Sequence, residues 1–323
     1  MEKETLRGAF SQKILEEARK DPQIMVVCTD SRGSASLGAY PEELPSQFVE
    51  MGIAEQNAVT VSGGMAAMGK KVYAIGPASF YSMRSAEQVK VDLAYSHNNV
   101  KVIGISGGIS YGALGATHHS LQDIALMRAI PNLNVMIPSD AVQMRSLTEA
   151  MLQDETPAYV RVGRGAVPTI YPEGTSFEIG RAYRHFAGTD IGIIACGQMV
   201  WRALEAAKML EADGIHASVL DLYTIKPLDN EAVLALAREC GCLLTVEEHS
   251  IYGGMGSAVA ECVVQNNPVP MKILGVPDRD VPNGEDSKVF ELLGLDSRGI
   301  YEAAKELKGQ GTGHAGQNYS ECI

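Results

Sequence analysis

Short β-rich apolar runs alternate with longer stretches of helical period along the whole chain. Residues 10–19 put Phe10, Ile14 and Ala18 on one helical face and stop at Asp21-Pro22. The apolar run Ile24–Cys28 follows and closes in the polar loop Thr29–Ser34. A helix rich in Ala, Gly, Ser and Met is predicted over about residues 54–68. Its Ser62-Gly63-Gly64 would cost stability in an exposed helix, so tight packing, as at a subunit contact, is expected there. Further strand-like runs lie at 72–76, 100–105, 133–137 and 158–162, with helical stretches near 85–96, 120–129 and 140–153. Strands alternating with helices predict a parallel sheet covered on both faces.

Residues 166–178 are rich in Pro, Gly and Thr, carry no helical period and read as linker. The alternation then restarts. Ile191–Ala195 and Ala217–Leu220 read as strands around a helix over Gln198–Asp213, which Gly214 stops. Asp229 caps a second helix that ends at Cys240 before Gly241. Leu243–Val246, a helix from about Met255, and Lys272–Leu274 complete a smaller sheet. The fold class is therefore α/β in two domains, at 1–168 and 179–308, joined by a linker at 169–178. Residues 309–323 have no apolar period and are expected to form a mobile tail.

Composition fits an ordinary soluble globular protein, with 46% apolar and 20% charged residues among 323. No apolar run is long enough to span a bilayer, so no membrane partner is expected. The amino terminus lacks the apolar core of a secretory signal, and the six scattered cysteines include no zinc-type pair. Free thiols in a cytoplasmic protein are the expectation. The formal net charge of −12 argues against a nucleic-acid partner. It leaves room for a phosphate pocket, which needs only two or three local cations.

Four phrases carry candidate chemistry: GIAEQN around Glu55, GPASFYSMRSAEQV around Phe80 and Tyr81, GATHH around His118, and RVGRG around Arg164. An early Arg7 precedes them, and VEEHSIYGGMGSAVAE follows in the second half. Each phrase alone is weak, because a Glu in a first helical turn or a His in a loop is common. Their order and spacing, from about residue 5 to 307, resemble the pyrimidine-binding and carboxy-terminal domains of transketolases.

That resemblance implies thiamine diphosphate as cofactor. Glu55 would hold a proton at the cofactor's pyrimidine ring and, buried in a closed site, would share it. Phe80 would stack on that ring, with Tyr81 beside it. His118 would move protons at the substrate and also bind it. Arg164 and Arg7 would hold a sugar phosphate, helped by Ser31. The activity implied is transfer of a two-carbon ketol unit from a ketose to an aldose.

Two positions depart from the family pattern. Where ordinary transketolases carry a His and an Asp that bind sugar hydroxyls, this chain has Ser106 and Leu114. A buried polar group left without its partner costs about 1–3 kcal/mol. The expected ketose is therefore unusual: branched, deoxygenated or sulfonated. The family's GDG phrase, which holds diphosphate through a divalent metal, is also missing. The resemblance thus implies an amino-terminal partner subunit carrying that metal, magnesium or calcium, in an α2β2 assembly. The competing expectations are the beta chain of a 2-oxo acid dehydrogenase, a relative of deoxyxylulose phosphate synthase, and a non-catalytic relative.

Overall fold

The computed structural model describes residues 2–310. A seven-stranded sheet organises the first half. Its spatial order is Thr224–Lys226, Asn134–Met136, Ala158–Val162, Val100–Ile105, Lys71–Pro77, Ile24–Cys28 and Phe48–Glu50. The six strands from the first half are parallel to one another. All five residues of Ile24–Cys28 are buried, as both faces of the sheet are covered. Val26, Cys28, Tyr73 and Ile75 pack on one side with Phe10 and Ile14 of the helix Leu6–Ala18 and Leu147 of the helix Ala141–Gln153. Val27, Val72 and Ala74 pack on the other side with Ala58 and Val59 of the helix Glu55–Ala67. The strand period of two thus divides one apolar run between two cores.

A second sheet follows in the order Met271–Val276, Leu243–Ser250, Ile191–Ala195, Ala217–Asp221 and Tyr183–Ala187, with only the last strand antiparallel. The helices Met199–Ala212 and Ser297–Gln310 cover one face. Asn230–Cys240 and Met255–Asn266 cover the other and share a core with the first half. Asp229 caps its helix by accepting from the Ala232 N–H at 3.0 Å, and Gly241 ends it in the left-handed conformation at φ +69°.

Three features differ from the sequence expectation. The sheet of the first half carries an antiparallel edge strand, Thr224–Lys226, contributed by the second half. It is three residues long, too short to show a period. The stretch near 85–96 is a short α-turn, Ala86–Gln88, running into a π-helix, Val89–Tyr95. The closing helix reaches Gln310, so the first two residues of the expected tail are helical, and residues 311–323 lie outside the described residues.

Asp140 fastens the linker. One carboxylate oxygen caps its own helix through the Gln143 N–H, while the other accepts from the N–H groups of Ile170 and Tyr171 at 2.8 and 3.0 Å. The Tyr171 hydroxyl donates in turn to Asp221 of the second sheet at 2.6 Å. Residues Ile170 and Tyr171 are therefore tied to both halves.

Candidate active site

Five of the six parallel strands in the first sheet lead directly toward predicted site residues. Ser31 follows Ile24–Cys28, Glu55 follows Phe48–Glu50, Phe80 follows Lys71–Pro77, and Arg164 follows Ala158–Val162. Val100–Ile105 leads into the loop that carries Ser106, Leu114 and His118. The carboxyl ends of parallel strands are where open α/β sheets bind ligands.

Glu55 opens its helix and is 1% exposed. Its carboxylate accepts from Arg84 Nη1 at 2.6 Å. Arg84 closes the helix Ala78–Arg84, which starts as the strand ends at Pro77, and its guanidinium carbon stands 4.7 Å from the Phe80 ring centre. One planar cation thus bridges Glu55 and Phe80. The buried charge of Glu55 is answered by an ion pair that no sequence motif announces.

The Phe80 ring meets the His118 ring edge-on at 5.2 Å, and His118 meets Tyr111 at 5.4 Å. Tyr111 faces the Arg164 guanidinium at 4.8 Å. Glu55, Arg84, Phe80, His118, Tyr111 and Arg164 therefore form one continuous row. His118 Nδ1 lies 2.9 Å from the Thr117 hydroxyl, on the loop before the helix Asp123–Arg128.

Arg7 joins the far end of the row. Burial pushes its pKa down first, and the nearby charge of Arg164 pushes it further. One nitrogen holds the Ser34 carbonyl at 2.6 Å. Arg7 Nε and Arg164 Nη1 are buried and without a hydrogen-bond partner among the described residues. Two converging guanidinium groups with unused donors are the donor set an anion needs.

Tyr81 and Ser31 are both buried. Tyr81 is fully buried in the core with Val27, Ala58 and Val89, packed under Gly76 beside Thr29. Phe80 meets the His118 ring and the Arg84 guanidinium, whereas Tyr81 packs in the core within electrostatic reach of Glu55. Ser31 is buried, with its hydroxyl 3.6 Å from Cys28 Sγ, and Ser34 of the same loop is the one that meets Arg7.

Ser106 is fully buried, has φ +55°, and leaves its hydroxyl unpartnered among the described residues. Leu114 is 51% exposed on the rim. His119 is buried with both ring nitrogens unpartnered among the described residues, and burial lowers its pKa. Among the described residues no group of three or more His, Cys, Asp and Glu side chains is placed to hold a metal ion.

The second half reaches the same loop. Glu248 accepts from the Ile109 N–H at 2.8 Å and from Gln198 Nε2 at 2.7 Å. Arg161 donates to the Glu248 carbonyl at 2.6 Å. A side chain at Gly108 would collide with Glu248, so glycine (φ +66°) is required there. Further along, the Gly284 N–H donates to the Gly112 carbonyl at 3.1 Å, and Asn283 packs against Gly115.

This arrangement fits the aminopyrimidine half of thiamine diphosphate. A buried carboxylate and an aromatic ring both contact one planar nitrogenous group, the Arg84 guanidinium.

Residues 2–169 match the transketolase pyrimidine-binding domain, and residues 180–300 match the transketolase carboxy-terminal domain. The chain is 52% identical to one subunit of the apulose-4-phosphate transketolase of Phocaeicola vulgatus, over 93% of this chain and 96% of the relative. It is 37% identical to a 6-deoxy-6-sulfo-D-fructose transketolase subunit of a Clostridium species, over 95% of each. A solved split-gene transketolase, described as an inactive β4 tetramer, superposes with a TM-score of 0.86 at 36% identity, covering 94% of this chain and 98% of that one. The chain belongs to the transketolase family and resembles, over nearly its full described length, the carboxy-terminal subunit of split transketolases.

Proposed function

We propose that this chain is the catalytic carboxy-terminal subunit of a thiamine-diphosphate-dependent transketolase that takes a ketol unit from an unusual ketose phosphate and gives it to an aldose. The observation that carries the reading is the row from Glu55 to Arg164, ending in two arginines with unused donors. The donor favoured is apulose 4-phosphate, on the strength of the 52% identical relative. The replacement of polar family residues by Ser106 and Leu114 supports a ketose other than xylulose 5-phosphate.

Thiamine diphosphate, when bound, supplies the reactive carbon that makes the ketose carbon–carbon bond breakable. This chain's own residues position and protonate. Glu55 holds a proton at the pyrimidine ring nitrogen, taking over with the cofactor the contact that Arg84 makes without it. Phe80 offers the apolar face against which the ring lies. His118, one ring contact from Phe80, moves a proton at the ketose carbonyl oxygen. Arg164 and Arg7 hold the phosphate, and Ser31 shapes the loop beside them.

An amino-terminal subunit supplies the diphosphate and metal site, with magnesium or calcium bound there, in an α2β2 complex of the cytoplasm. The exposed side chains of Ile53 and Met83, next to Glu55 and Arg84, are the surface it covers. Domains at 1–168 and 179–308 are part of the same proposal.

Co-expression with the amino-terminal subunit and calorimetric titration of thiamine diphosphate with magnesium test this. Tight binding in the complex, with ketol transfer from apulose 4-phosphate lost in Glu55→Ala, is the expected result. Ordinary rates with xylulose 5-phosphate and ribose 5-phosphate would overturn the choice of donor, and absence of cofactor binding would overturn the catalytic reading.

A further inference from the structure

The loop between Ser106 and His118 holds one large side chain that no step above uses. Tyr111 is half-buried, with its ring between the His118 ring at 5.4 Å and the Arg164 guanidinium at 4.8 Å. It therefore fills the space between the group that serves the ketose carbonyl and the group that serves the phosphate.

The backbone that carries it is pinned on both sides. Glu248 holds the Ile109 N–H, two residues before it, and Gly284 holds the Gly112 carbonyl, one residue after it. Both holding residues belong to the second half. The Leu114 and Gly115 N–H groups both donate back to the Tyr111 carbonyl, at 2.8 and 3.1 Å, closing a turn on the residue itself. The backbone at Tyr111 is thus held from both sides, and its ring is held by its contacts with His118 and Arg164.

We infer that Tyr111 is a specificity-determining residue that limits how many carbons fit between carbonyl and phosphate, so that the site prefers short ketose phosphates. This rests on the proposed ketol-transfer reading for the location of the two ends. A short ligand reaches from His118 to Arg164 past the ring that touches both. A ligand with two or three more carbons must fold, or displace the ring from its contact with Arg164.

The test is calorimetric binding of erythrulose 4-phosphate, fructose 6-phosphate and sedoheptulose 7-phosphate to the two-subunit complex, without acceptor. Wild type is expected to bind the four-carbon ligand tighter than the seven-carbon ligand by about tenfold or more, in the range one misfitting group commonly gives. Tyr111→Ala and Tyr111→Val should erase that ranking by strengthening the long ligands, and Tyr111→Phe should keep it. Equal wild-type affinities for short and long ligands would overturn the inference. So would an unchanged ranking in both small variants, a ranking lost in Tyr111→Phe, or no binding of any of the three. A complex that shows the expected ranking yet transfers no ketol unit leaves Tyr111 in its role and sinks the proposed reaction instead.

Discussion

Arg84 and Glu55, 29 residues apart in sequence, meet at 2.6 Å across the ends of two helices, and the guanidinium that makes the contact also lies over Phe80. The pair holds together the two residues between which a pyrimidine ring is proposed to sit. A cofactor entering that gap exchanges one partner of Glu55 for another. Arg84→Ala should therefore cost the cofactor-free complex about 1–3 kcal/mol, the range for a hydrogen bond to a charged group whose loss strands a buried carboxylate. With thiamine diphosphate and magnesium bound, most of that difference should vanish. Thermal unfolding of both proteins, with and without cofactor, reads the effect directly.

Glu55→Gln keeps the size of the side chain and removes its ability to hold a proton reversibly. Ketol transfer should fall by roughly a factor of 100 to 10,000, the usual worth of acid–base help. Circular dichroism and association with the partner subunit should not change.

The converging donors of Arg7 and Arg164 predict that inorganic phosphate stabilises the protein by mass action. The unfolding temperature should rise with phosphate concentration in wild type and stay flat in Arg164→Leu. In steady-state assays Arg164→Leu should raise KM for a ketose phosphate by about tenfold or more, since a charge-assisted contact contributes about 1.5–3 kcal/mol. An effect confined to kcat would contradict a phosphate-holding role.

Asp221 lies buried where the linker meets the second sheet, and its Oδ2 accepts from Tyr171, Ser139 and Gln143. Burial pushes its pKa up to about 7, against the lowering effect of those three donors. An acid whose pKa is higher in the folded state is protonated preferentially by folding. Its contribution is therefore most favourable at low pH and is lost as pH rises from its unfolded value, near 4, to about 7. Asp221→Asn, which keeps an acceptor oxygen and never ionises, should be more stable than wild type at about pH 8. The gap should close on acidification toward about pH 5. Denaturant unfolding at the two pH values checks the sign.

Much of this architecture is legible in the chain itself, and the reasons differ by element. Ile24–Cys28 and Ile191–Ala195 can be read because strands buried on both faces leave uninterrupted apolar runs. The helix Asn230–Cys240 can be read to the residue because Asp229 and Gly241 satisfy its loose ends by local chemistry. Glu55, Phe80, His118 and Arg164 are legible as a set through the resemblance, and the structure brings them into one row. Arg84 and Tyr111 are not legible, because their value lies in contacts with side chains 29 and 53 residues away, and no local pattern reports such a distance. Tyr81, the sequence neighbour of Phe80, packs in the core with Val27 and Ala58, a burial that no local pattern reports. The strand Thr224–Lys226 escapes for a third reason, since three residues contain no period.

That strand has a consequence for how the chain can be cut. Residues 224–226 cover the edge of Asn134–Met136, so a fragment ending in the linker would leave that edge bare. An uncovered edge strand is a template for pairing with other copies. The first half made alone should then precipitate or self-associate even with all its own residues present. The junction inside this polypeptide is thus stitched by a strand from one half that completes the sheet of the other.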